Sequence, residues 1–280
     1  MAKALALIYF IWGFNWVVMK LANEYFSPTM FVTYRFTSGA LVLLLVTLFL
    51  RLPLPEKRFW PWIALTGATQ ISLNSIIVQF CITPLGSGLS AVLNYTMPIW
   101  TALLAQPLLG EKLTLKKIIG ILISLAGLAI IMNIDLEGNL IYLPLAISGA
   151  FLWALGNVIY KLKLTECNMT VFNTWQMSIG ALILIVVSLA TGQDTGNLTT
   201  LSAGFIIYNG VLASALAFFL WSYILSRMEA SLASVAILAV PTVGVLCGAV
   251  FLSEPLTPAR IAGMALILIG IVTVTYHRKA

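Results

Sequence analysis

The sequence predicts an all-α polytopic membrane protein: ten transmembrane helices arranged as two inverted five-helix repeats. Three observations carry this. Of the 280 residues, 61% are hydrophobic and only 9% charged, whereas a soluble domain carries roughly 25% charged residues. Apolar runs of the length a bilayer crossing needs, about 20 residues, follow one another along the whole chain. The second half repeats the first at a nearly constant offset. With a mean hydropathy of +1.03, too few charges are available to cover a soluble surface, and disorder is excluded for the same reason. No hydrophilic stretch is long enough for a separate soluble domain.

Runs bounded by Pro, Gly and charges place the spans at 4–23, 29–50, 60–82, 88–109, 114–133, 140–162, 169–190, 202–226, 231–252 and 257–276. None alternates polar with apolar as a barrel strand does. Span 1 follows Met1-Ala-Lys3 directly and ends at Asn23-Glu24-Tyr25 without a small-residue cleavage site. It is expected to be a retained helix, not a signal peptide. Span 2 carries Arg35 about six residues in, expected to pair with Glu24. Span 3 opens on Trp60 and Trp62, which fit interfacial anchors. Span 4 contains Pro98, and span 9 contains Pro241. Each proline lacks an N–H and leaves the carbonyl four residues earlier, at Asn94 and Ile237, without its helical partner. A kink or a hinge is expected at both. Spans 5 and 10 are nearly devoid of polar groups and read as peripheral or packing helices. Spans 6 and 7 repeat spans 1 and 2, and span 8 contributes Asn209 and Ser214 near mid-membrane. In span 9, Gly244-xxx-Gly248 is a helix-packing pattern.

Lysine and arginine placement orients the chain. With the N-terminus inside, Lys3, Arg51, Lys57, Arg58, Lys112, Lys116, Lys117, Lys161, Lys163, Arg227, Arg278 and Lys279 fall on the inner side, 12 of the 15 basic residues. The outer loops carry Asp135, Glu137, Asp194 and Glu254. Both termini are therefore expected in the cytoplasm. The net charge of +6 reads as this inside bias, and no nucleic-acid partner is expected. Cys81, Cys167 and Cys247 have no paired spacing and His277 stands alone, so neither a disulfide framework nor a metal site is expected.

The repeat is detailed. Trp12-Gly-Phe-Asn-Trp-Val-Val-Met-Lys-Leu21 aligns with Trp153-Ala-Leu-Gly-Asn-Val-Ile-Tyr-Lys-Leu162, 141 residues on. Phe31, Thr33, Gly39, Ala40 and Leu41 match Phe172, Thr174, Gly180, Ala181 and Leu182 at the same offset of 141. Further on the offset is 143: Gly67, Pro98, Glu111, Leu113, Thr114, Gly120 and Gly127 match Gly210, Pro241, Glu254, Leu256, Thr257, Gly263 and Gly270. The halves are taken as 1–135 and 136–280. Five spans per repeat is an odd number, so the second copy enters the membrane from the opposite side. Inverted repeats are the architecture from which many secondary transporters build alternating access.

Trp12-Gly13-Phe14-Asn15 with Met19-Lys20, and the paired Leu109-Gly-Glu111-Lys-Leu113-Thr114 and Leu252-Ser-Glu254-Pro-Leu256-Thr257, carry a resemblance. The chain resembles the drug/metabolite transporter superfamily, in its ten-helix exporter branch with two EamA-type repeats, and is similar to the YddG-type exporters of aromatic amino acids. The resemblance implies a central cavity among spans 1, 3, 4, 6, 8 and 9. It implies a multi-pass protein of a bacterial inner membrane.

Polar groups at membrane depth are costly unless paired or facing a wet cavity. The candidate substrate-binding residues are therefore Trp12, Asn15, Trp16, Asn74, Gln79, Asn94, Tyr95, Trp100, Trp153 and Asn157. Pro98 and Pro241 are the candidate hinges. Lys20 and Lys161 are snorkelling anchors or electrostatic contacts for a carboxylate or a helix end. Glu111 and Glu254 are expected to cap the helices that follow them. None of the nine acidic residues lies mid-membrane, and Trp12 and Trp153 stand where the related four-helix multidrug transporters have a glutamate. Export of a small metabolite, an aromatic or apolar amino acid, by facilitative alternating access is expected. The alternative is a drug or lipophilic-compound exporter driven by proton exchange. No phosphate-binding loop and no catalytic constellation is present, so neither an enzyme nor a cofactor is expected. The expected partners are a small-molecule substrate and the lipid bilayer, with the protein a monomer.

Overall fold

The computed structural model describes residues 1–85, 87–133 and 140–275. Asp135, Glu137, His277, Arg278, Lys279 and the junction at 135–136 lie outside them. Among the described residues the chain is helical, without a strand. Nine stretches are long and apolar enough to cross a membrane: Ala2–Ala22, Pro28–Phe49, Trp60–Cys81, Leu115–Met132, Leu140–Leu164, Met169–Ala190, Thr200–Arg227, Ala230–Leu252 and Pro258–Thr275. The tenth, span 4, is two helices, Ser87–Asn94 and Met97–Leu109. Large apolar side chains such as Phe49, Leu189 and Val250 are exposed on the outside. That surface suits lipid, since a soluble monomer rarely exposes large contiguous apolar patches.

The prolines do not sit inside continuous kinked helices. The chain turns at Tyr95–Thr96 and again at Ile237–Leu238, between Ala230–Ala236 and Ala239–Leu252. Tight bonds close both turns, Thr96 N to Leu93 O at 3.1 Å and Leu238 N to Val235 O at 3.1 Å. Each proline then falls in the first turn of a new helix, where its missing N–H removes no helical bond.

Contacts between the halves come in exchanged pairs. Thr33 bonds Ser188 at 2.8 Å, and Thr47 bonds Thr174 at 2.8 Å; the repeat aligns Thr33 with Thr174 and Thr47 with Ser188. Gly39 lies against Gly210 as Gly67 lies against Gly180, and Gly120 against Gly270 as Gly127 against Gly263. A two-fold relation produces this exchange. Spans 5 and 10 pack on each other through the last two pairs, as their apolar composition predicts.

Spans 3 and 8 each contain a π-helical segment that hydrophobic periodicity does not reveal, Gly67–Leu73 and Asn209–Leu216. They occupy matching positions in the repeat. Such widened turns leave carbonyls free to bond elsewhere and are frequent at functional sites.

Candidate functional site

A cavity of about 180 Å³, counted as space open to the centre of a water, lies between the halves. One water needs about 10–15 Å³ by that measure, so there is room for on the order of a dozen. Eight of the ten predicted residues line it: Trp12, Asn15, Trp16, Asn74, Gln79, Asn94, Tyr95 and Trp153. Tyr95 and Ile237, one from each helix break, are both on its wall.

Its base is aromatic. Trp12 and Trp153, equivalent in the repeat, meet edge to face at 6.3 Å, and Phe218 packs on both at 5.9 and 5.7 Å. Trp12 Nε1 donates to the Ala213 carbonyl at 2.9 Å, a group of the span 8 π segment. Trp153 Nε1 is buried and makes no hydrogen bond among the described residues. Asn74 Nδ2 donates to Asn94 Oδ1 at 2.8 Å and to Gly149 O at 3.0 Å, tying span 3 to span 6 and to the end of the first half of span 4.

Two predicted residues sit elsewhere. Trp100 donates to Thr96 Oγ1 at 3.3 Å and packs on Phe151. Asn157 is fully buried, and its Oδ1 accepts from Gln70 Nε2 at 2.7 Å and Trp221 Nε1 at 3.0 Å. It holds helices together behind the cavity. Pro98 and Pro241 are buried beside the breaks.

Arg35 does not meet Glu24, the partner that the sequence suggests. Its Nε donates to Ser214 Oγ at 3.0 Å and its Nη2 to Ala213 O at 3.2 Å, because the π segment presents that carbonyl. Arg35 lines the cavity and is the one charged residue that does among the described residues. Its departure from the repeat, arginine where the second half has Gln176, is the signal available in the sequence. Phe218 gives no such signal.

Glu111 and Glu254 do not cap the helices that follow them, whose starts are served by Thr114 and Thr257. The Glu111 carboxylate accepts from Ala230 N, Ser231 N and Ser231 Oγ at the start of span 9. Lys117 Nζ donates to Glu229 at 2.6 Å and Ser231 Oγ at 2.9 Å, and Lys161 Nζ to Met228 O at 2.6 Å. At the opposite end, Lys20 pairs with Glu254 at 2.7 Å. Hydrogen bonding to Lys20, with Arg260 close by, holds the Glu254 carboxyl below its ordinary range.

The EamA-like transporter family matches this chain twice, over residues 2–133 and 140–276. The chain is 30% identical over 285 residues to a protein of Bacillus subtilis named "Uncharacterized transporter YoaV", covering 96% of this chain and 95% of that one. It is 26% identical to a "Probable amino-acid metabolite efflux pump" of Salmonella typhimurium, covering 95% and 91%. It is 28% identical to the "Uncharacterized inner membrane transporter YedA" of Escherichia coli, covering 97% and 89%. A solved crystal structure shares the fold with a TM-score of 0.80 at 19% identity, covering 98% of this chain and 96% of that one. The chain belongs to the EamA-like transporter family, within the drug/metabolite transporter superfamily.

Proposed function

We propose that this transporter exports small metabolites, aromatic or apolar amino acids first among them, by alternating access, driven by the substrate's own gradient. The observation that carries the reading is the cavity: an aromatic base, amide side chains beside it, one cation and no carboxylate on its wall among the described residues. The name of the Salmonella relative agrees with an amino-acid substrate. With both termini in the cytoplasm of a bacterial inner membrane, the Glu111 end faces inward, fastened by the bonds of Glu111, Lys117 and Lys161.

The test is uptake of labelled tryptophan, phenylalanine and threonine by liposomes holding the purified protein, without a pH gradient. Saturable uptake of the aromatic pair is expected. Trp153→Ala is expected to lower it by up to about tenfold, in line with the roughly 0.5–1.5 kcal/mol that an aromatic pair contributes beyond its area burial. Uptake that requires an imposed pH gradient would refute the facilitative reading.

Pro98→Ala and Pro241→Ala each allow a continuous helix through the break. Both are expected to slow uptake several-fold while leaving protein yield nearly unchanged. Wild-type rates in both variants would remove the hinge role.

A further inference from the structure

We propose that Arg35 recognises a carboxylate on the substrate. This rests on the reading of the cavity as the substrate site, and it names the substrate class as carboxylate-bearing.

The repeat separates the structural task of position 35 from its charge. Arg35 bonds Ser214 and Ala213 in the span 8 π segment. Gln176 is its equivalent in the second half. Gln176 Nε2 donates at 2.8 Å to Oε1 of Gln70, in the span 3 π segment, and Gln70 is the equivalent of Ala213. A neutral amide therefore ties span 7 to its π segment where arginine ties span 2. The positive charge at 35 is surplus to that task.

No carboxylate pairs with Arg35 among the described residues. An ionisable group at membrane depth is costly and marks a functional site. A guanidinium offers five donors in a planar fork that matches a carboxylate, and the two bonds to span 8 leave donors for a ligand. Acceptors stand on the same wall. Asn15 is 5% exposed, and its buried Oδ1 and that of Gln79, Oε1, make no hydrogen bond among the described residues. A zwitterion finds a cation for its carboxylate and Trp12 and Trp153 for an apolar side chain, and its ammonium is met when the Asn15 or Gln79 amide turns into the cavity. A lipophilic cation meets like charge.

The experiment measures ligand binding to the purified protein by thermal shift, and competition in proteoliposome counterflow. The probes are tryptophan, tryptophanamide, tryptamine and indole-3-propionate. Wild type is expected to prefer tryptophan over the amide and the amine at least tenfold. Arg35→Gln, which retains an amide donor as Gln176 does, is expected to melt with wild type and lose that preference. Arg35→Lys is expected to keep part of it. Equal binding of acid and amide by wild type overturns the proposal, as does a preference that survives in Arg35→Gln. Should Arg35→Gln not fold, the wild-type comparison and Arg35→Lys still decide. Binding of indole-3-propionate but not tryptophan, lost in Arg35→Gln, supports the role of Arg35 and overturns the amino-acid reading. Binding of tryptamine in preference to every acid overturns both.

Discussion

Leucine in place of Gly127 is expected to prevent recovery of a folded, monodisperse protein. A Cβ at Gly127 would lie 2.5 Å from the Gly263 carbonyl oxygen, 2.8 Å from the Leu266 side chain and 2.9 Å from Ile267 N. Two of these neighbours are backbone, so the helices themselves must separate. Helix association in lipid depends on close packing because lipid tails are as apolar as leucine. Overpacking a closed interface costs about 1–3 kcal/mol and sometimes more, and a branched side chain against backbone belongs at the upper end. Size-exclusion chromatography of the detergent-solubilised protein, with melting of any folded fraction recovered, checks this. Gly204→Leu is the control, since a Cβ there meets nothing within 4 Å. Equal melting of the two variants would show that spans 5 and 10 do not pack through Gly127.

The spans are legible in the sequence because bilayer length and apolar composition act on each segment alone. The glycine pairs are legible as repeats, since each matched pair in sequence becomes half of two exchanged contacts in space. The cavity is legible in large part because a polar side chain at membrane depth has few places to go. It faces water or joins a buried network, and the sequence does not separate the two. Asn157 joins the network with Gln70 and Trp221, while Asn15 faces the cavity. Arg35 and Glu24 lie near one end of the membrane, which makes them a natural pair on paper. The Ala213 carbonyl that holds Arg35 is presented by a π segment, and one extra residue in a turn leaves no mark in an apolar run. The partners of Glu111 lie 119 and 120 residues away, beyond any local pattern.

Alanine at Glu111 is expected to loosen the end of the transporter where Glu111, Lys117 and Lys161 fasten the start of span 9. The Glu111 carboxylate holds two backbone N–H groups and one hydroxyl at the start of span 9. Lys117, 7% exposed, and Lys161 fasten the same segment. Hydrogen bonds to a charged group contribute about 1.5–3 kcal/mol each. The loss of even one of them, about 1.5–3 kcal/mol, shifts the balance between a fastened and a released span 9 by roughly ten- to a hundredfold. The readout is maleimide labelling of Ser234→Cys in a variant with Cys81, Cys167 and Cys247 replaced by alanine. Ser234 is fully buried and donates to Thr101 Oγ1 at 3.1 Å, so the thiol reacts only when span 9 moves off span 4. Labelling at least tenfold faster with Glu111→Ala is expected, and equal rates would show that Glu111 does not hold this end. Glu254→Ala should change far less. Its bond to Lys20 joins side chains 62% and 28% exposed, and exposed pairs contribute about 0–1 kcal/mol. Two glutamates of one repeated motif thus hold different partners, and the two ends of a symmetric chain are fastened unequally, the Glu111 end by buried bonds and the Glu254 end by an exposed pair.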